Sequence, residues 1–267
     1  MGFYLQETGV TALEEGLWEG HVSSAWNIGE NPNGGYLASI ALRAASRLTP
    51  GQPSPLTATI HYLRPGIPDQ SCEIRTELVK PGRTLSVVRA SLIQGGKTRL
   101  EVLAGFGAIA DAAHTAELNI PMPQIPPPDE CVERSGDQQG VGLPLLDRLD
   151  IRMHPEQAVA GAAGRAEVSG WIRLRDQLEP DPISPVLFAD AFPPSVFGLL
   201  GAVGWVPTLE LTIHCRRPIA QGWVLGRMTT EDLMDGRMIE NGCLWDEQGR
   251  LIAQSRQLAL VMNNSAG

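Results

Sequence analysis

The chain has 267 residues, 43% hydrophobic and 19% charged, a composition that can bury a substantial core without disulfides or metal and that excludes a disordered chain. At roughly 100–200 residues per domain, this length allows one large domain or two smaller ones. The formal charge of −9 argues against non-specific binding to nucleic acid or anionic lipid, while leaving room for a local basic patch.

Taken in chain order, the opening MGFYLQETGV has neither a basic start nor an apolar run, so it does not read as a signal peptide. Residues 17–28, with Trp26, read as a strand. Residues 35–48 carry Ala and Leu at helical spacing and stop at Pro50, which predicts a helix. Leu56, Ala58, Ile60 and Tyr62 alternate with Thr57, Thr59 and His61, the pattern of a half-buried strand. Arg64-Pro65 ends it, because proline cannot donate to a ladder. Residues 85–94 and 98–109 flank Gly95-Gly96 and predict a hairpin. Pro121, Pro123 and Pro126 to Pro128 mark a linker, and residues 143–151 predict a short helix.

The same series then returns. Residues 165–175, with Trp171, read as a strand. Residues 186–203 predict a helix, broken at Pro193-Pro194 or restarted there. Leu209, Leu211, Ile213 and Cys215 alternate with polar residues, and residues 238–245 and 251–262 flank a second hairpin turn. Three landmarks keep register. His61-Tyr62-Leu63-Arg64-Pro65 recurs as His214-Cys215-Arg216-Arg217-Pro218, 153 residues on. Gly82-Arg83 recurs as Gly236-Arg237, 154 on, and Gly96-Lys97 as Gly249-Arg250, 153 on. A nearly constant offset predicts a duplicated domain. The expected division is an N-terminal repeat over 1–112, a Pro-rich linker over 113–160 and a C-terminal repeat over 161–267. Each repeat reads as a strand, a helix and about four antiparallel strands, an α+β unit in which a curled sheet wraps one long helix.

These residues resemble the type II acyl-CoA thioesterases, the TesB-like double-hotdog family. The resemblance rests on Asn33-Gly34-Gly35-Tyr36-Leu37-Ala38, on His61-Tyr62-Leu63-Arg64-Pro65-Gly66 and on the closing L-I-A-Q-S-R-Q-L-A. It covers about residues 17–262 and is weakest across the linker. It implies a double hotdog and a catalytic Asp on the second helix, a Thr or Ser opening the next strand and a Gln on the last strand. By position these fall on Asp190, Thr208 and Gln257. Pro193-Pro194, close behind Asp190, departs from the family pattern.

Comparing the two repeats tests this without the family. At the 153-residue offset Asp190 corresponds to Leu37, Thr208 to Pro55 and Gln257 to Ala104, so the second repeat is polar where the first is not. Leu100, Val102, Ala104 and Phe106 form an apolar face; Ala253, Ser255, Gln257 and Ala259 replace it. A buried Gln costs about 1–3 kcal/mol unless it is paired, so Gln257 needs a partner, and Asp190 is the expected one. The first repeat keeps Gly34 and Gly35 at a helix start, where free N–H groups can meet a ligand oxygen.

The expected reaction is hydrolysis of an acyl thioester, with acyl-CoA as substrate and neither metal nor cofactor. Asp190 acts as general base or as nucleophile, Thr208 and Gln257 fix the water, and the N–H near Gly35 steadies the oxyanion. Arg64, Arg83, Arg216, Arg217 and Arg237 are candidate contacts for CoA phosphates, and each also reads as ordinary surface charge. Asp190 as a plain cap, Thr208 as a strand opener and Gln257 as a backbone partner are the competing structural readings. A hotdog enoyl-thioester hydratase or dehydratase ranks lower, since no His follows Asp190 before His214. A non-catalytic acyl-thioester binding protein is the other alternative.

Other motifs fail. Gly96-Lys97-Thr98 lacks the earlier glycine of a phosphate loop, there is no G-x-S-x-G, and His21, His61, His114, His154 and His214 have no metal-ligand spacing. Asn263 heads a chance N-x-S. Cys72, Cys131, Cys215 and Cys243 lie far apart and read as free thiols, which fits a cytoplasmic protein. The most apolar stretch, 197–206, is too short to span a bilayer. Sheet edges in such a fold commonly pair, so a homo-oligomer is compatible with it.

Overall fold

The computed structural model describes residues 2–109, 118–136 and 140–262; the expected boundary at 112, His114 and Asn263 lie outside them. In the first half α1 (Phe3–Glu7), β1 (Val10–Glu14) and β2 (Leu17–Val22) precede a small ribbon, β3 (Asn27–Ile28) with β4 (Asn31–Pro32). Then come α2 (Gly34–Ser46), β5 (Ser54–Tyr62), β6 (Gln70–Lys80), β7 (Ser86–Gln94) and β8 (Lys97–Gly107). The second half holds β9 (Val132–Glu133), β10 (Leu149–Met153), β11 (Glu167–Leu174), α3 (Ser184–Ala189) and α4 (Phe197–Leu200). It closes with β12 (Thr208–Cys215), β13 (Val224–Met234), β14 (Arg237–Asp246) and β15 (Leu251–Leu260).

Among the described residues, thirteen strands form one antiparallel sheet in the order β1-β2-β6-β7-β8-β5-β12-β15-β14-β13-β11-β10-β9. Outward from the centre the two sides match: β5-β8-β7-β6-β2 against β12-β15-β14-β13-β11. They meet where β5 pairs with β12, and there Thr59 stands opposite Thr212 with the hydroxyl oxygens 3.0 Å apart. These two threonines are 153 residues apart, the same offset at which the sequence landmarks recur.

Helix α2 is buried on nearly all sides, because the sheet curls around one face and α3 packs on another. Asn33 caps it, its side-chain oxygen accepting the Tyr36 N–H at 2.9 Å. Gly35 lets the two helices meet: a Cβ there would lie 2.8 Å from the Val186 carbonyl oxygen and 3.0 Å from Leu187 Cα. Asp181 caps α3, accepting the N–H groups of Ile183 and Ser184, and also pairs with half-buried Arg43 of α2.

Three expected elements differ. The opening strand ends at Val22, and Trp26 sits in a short 3-10 turn, where it stacks on Tyr36 with ring centroids 5.1 Å apart. The helix expected over 186–203 is two short pieces, α3 and α4, because Pro193 and Pro194 lack the N–H groups that would continue it. Only Pro144–Asp147 of the expected 143–151 helix is helical, as a 3-10 turn, and β10 follows at once. The Pro-rich stretch lies against the outer face of the second half. Trp171 Nε1 donates to the Pro126 carbonyl and Trp245 Nε1 to that of Ile120, and Met122 and Ile125 pack beside these rings.

Candidate active site

A cavity of about 720 Å3 opens between the halves, where the start of α2 meets the end of α3 and the inner ends of β12, β14 and β15. Asn33, Gly34 and Tyr62 reach it from the first half; Asp190, Thr208, Glu240 and Gln257 reach it from the second. Leu37, Phe192, Phe197 and Met238 give it apolar wall.

Asp190 follows α3 directly, where the helix stops before the two prolines. Its Oδ2 accepts the Gly35 N–H at 2.7 Å and the Asn33 side-chain N–H at 3.0 Å. Asn33 Nδ2 also donates to the Asp190 carbonyl at 2.8 Å. Burial pushes the carboxyl from its ordinary 3.8 up to about 7; the Gly35 N–H works against the rise and the Glu240 charge adds to it. The two halves are thus joined at this carboxylate.

A second group of hydrogen bonds lies within the C-terminal half. Thr208 Oγ1 donates to Gln257 Oε1 at 3.0 Å, and Gln257 Nε2 donates to Glu240 Oε1 at 2.5 Å. Glu240 Oε2 accepts the Ser195 N–H at 2.6 Å. Burial pushes the Glu240 carboxyl upward, and these donors oppose the shift. The polarity of this chain follows from its end. An ionised carboxylate only accepts, so Gln257 turns its N–H to Glu240 and its carbonyl to Thr208. The Thr208 hydroxyl must then donate to Gln257, which leaves its lone pairs for a donor in the cavity.

All five expected residues line or adjoin one site, with two changes of partner. Gln257 bonds to Thr208 and Glu240 rather than to Asp190, because β14 brings Glu240 directly opposite it. The Gly35 N–H, expected to face a ligand oxygen, is directed at Asp190 instead, because the close packing of α2 on α3 sets the carboxylate in front of it. Of the five candidate arginines only Arg64 is among the residues lining the cavity.

Glu240 went unread in the sequence, although the repeat comparison holds its signal. Ala104 is paired across the sheet with Val88, whereas Gln257 is paired with Glu240, so the polar replacement runs over two neighbouring strands. Arg134 was hidden in the expected linker. It is buried at the cavity and donates to the Ala191 carbonyl at 2.5 Å, and burial lowers its guanidinium to about 9.

Known proteins are similar to this chain in sequence and shape. The acyl-CoA thioesterase N-terminal domain matches residues 22–107, and the acyl-CoA thioesterase C-terminal domain matches residues 128–261. The chain belongs to the acyl-CoA thioesterase family. It is accordingly a thioester hydrolase. The thioesterase superposes on a candidate thioesterase II from Thermobifida fusca with a TM-score of 0.88, at 30% identity over 98% of each chain. A hot dog fold protein of unknown function from Alicyclobacillus acidocaldarius gives a TM-score of 0.84 at 20% identity over 98% of each chain, a likeness of fold alone. An uncharacterized protein of Mycobacterium tuberculosis is 28% identical over 92% of the thioesterase and 91% of its own length.

Proposed function

We propose that this thioesterase hydrolyses acyl-CoA to a free acid and CoA in a single site shared by two tandem hotdog repeats, a double hotdog. The observation that carries the reading is Asp190: a half-buried carboxylate near pKa 7, oriented by Gly35 and Asn33, in one cavity with Thr208 and Gln257. A base with a pKa near working pH is both ionised and able to take a proton.

In this reading Asp190 removes a proton from water as the water oxygen attacks the thioester carbonyl carbon. Thr208, with its lone pairs toward the cavity, accepts the other water proton in a hydrogen bond, and Gln257 holds Thr208 in that orientation. The tetrahedral intermediate collapses, the C–S bond breaks, and the proton on Asp190 passes to the departing thiolate. The apolar wall of Leu37, Phe192 and Met238 receives the acyl chain. Arg64 is the candidate contact for a CoA phosphate.

The test is thiol release from acyl-CoAs of several chain lengths. Wild type is expected to release thiol, and Asp190→Asn to lower kcat by about two orders of magnitude or more. Binding without thiol release, or addition of water to an enoyl-CoA in its place, would overturn hydrolysis in favour of a binding protein or a lyase.

A further inference from the structure

The first turn of α2 has its donors engaged within the protein. The Gly35 N–H donates to Asp190, the Tyr36 N–H to Asn33 Oδ1 at 2.9 Å and the Leu37 N–H to the Asn33 carbonyl at 3.1 Å. The Gly34 N–H also acts on the Asp190 carboxylate. An oxyanion forming in this cavity therefore needs a donor from elsewhere.

Tyr62 ends β5 and lines the same cavity. Its hydroxyl is buried, and among the described residues it has no hydrogen-bond partner. Buried hydroxyls are normally paired, so an orphan at a cavity wall points to a group that arrives there. Its position is set by Gly34. A Cβ on Gly34 would lie 3.0 Å from Tyr62 Cζ and 3.0 Å from Asp190 Oδ2. The hydroxyl-bearing carbon and the carboxylate oxygen thus lie within two 3.0 Å legs of each other, packed so closely about Gly34 that a side chain there would clash. Both residues line the cavity beside Gly34, so a carbonyl group bound in that cavity meets the base and the phenol on one wall.

We propose that the Tyr62 hydroxyl donates the hydrogen bond that stabilises the thioester carbonyl oxygen as it becomes an oxyanion. The inference rests on the hydrolase reading above and adds a catalytic residue to it. Burial, together with the nearby charges of Asp190 and Glu210, holds the phenol pKa well above its ordinary value, so the donor keeps its proton throughout the working range. At the corresponding end of β12 stands Cys215, a weak donor, so this contribution belongs to the first repeat alone.

Tyr62→Phe removes the hydroxyl and keeps the ring. The expected result is a kcat lower by about 100-fold with KM within about threefold, the size of effect seen when one oxyanion donor is lost. A pair of inhibitors separates this from packing. A dethia ketone analogue of acyl-CoA, which keeps the carbonyl, is expected to bind Tyr62→Phe about tenfold more weakly than wild type. An S-alkyl-CoA thioether, which lacks the carbonyl, is expected to bind both proteins equally. If wild type turns over and Tyr62→Phe retains kcat within threefold, or both inhibitors weaken alike, the role of Tyr62 is overturned and hydrolysis stands. If wild type releases no thiol, both readings fall.

Discussion

Asp190, half-buried, and Glu240, buried, are two carboxylates facing one cavity, and the charge of Glu240 acts on the proton of Asp190. The Glu240 charge contributes to holding Asp190 near 7. Glu240→Gln is therefore expected to move the acid limb of kcat/KM to lower pH while lowering kcat about tenfold, since Ser195 and Gln257 then share a neutral acceptor. A pH–rate profile of wild type and variant checks this, and a midpoint that stays or rises contradicts it. The same shift has a sign for folding. The Asp190 pKa is higher in the folded state, about 7, than its ordinary 3.8. The folded protein therefore binds more protons across that window, and the Asp190 contribution to stability falls as pH rises from about 4 to 7. Asp190→Asn is expected to remove that fall, so its Tm relative to wild type should rise from pH 4 to pH 8. At this scale the sequence was informative about residue type. Asp190, Thr208 and Gln257 stood out because their equivalents Leu37, Pro55 and Ala104 are not polar in the same way. It said little about partners, because hydrogen bonds between residues such as Asn33 and Asp190, 157 apart, are made by packing.

Among elements, the contact between α2 and α3 builds the site. It depends on Gly35, where a side chain would run into backbone rather than into something that can swing away. Gly35→Ala is expected to destabilise the protein by about 1–3 kcal/mol by overpacking and to reduce activity, since the Asp190 carboxylate must move with α3. Denaturant unfolding and thiol release measure the two effects, and a variant with unchanged stability would show that the helices tolerate separation. The longer elements were legible: α2 and both hairpins fall within a few residues of expectation, because their apolar periods are strong. Strands β6 and β13 carry no clear signal in the sequence. β6 buries only Cys72 and Ile74 and exposes most of its second half, so it carries little alternation. In β13 the residues from Glu231 onward are exposed in the same way. The opening strand is shorter than its sequence suggests because Trp26 reads as a strand residue, whereas its ring is held inward by Tyr36 and Tyr4.

On the scale of the whole molecule the two halves share one apolar core that runs from Tyr4 and Trp26 through α2 to α3, Leu211 and Ala253. Pairing of β5 with β12 makes the sheet continuous across the join. Equilibrium unfolding is therefore expected to show one transition rather than two. Trp26 reports on the first half and Trp171 and Trp245 on the second, so variants keeping one set should give coincident curves with circular dichroism. Separated midpoints would mean that each half folds by itself.

The sequence by itself determined that three landmarks recur at an offset of 153 or 154 residues, where the main helix and the two hairpins fall, and which half is polar at the matching positions. Those properties are local: hydrophobic period, glycine and proline placement, and residue identity at a fixed offset. Only the tertiary structure decided that Gly35 serves Asp190, that Glu240 completes the line through Gln257 to Thr208, and that Tyr62 lines the same cavity beside Gly34. These depend on how one half of the chain packs against the other, and a buried polar group takes whichever partner the packing brings within 3 Å, which no period or spacing encodes.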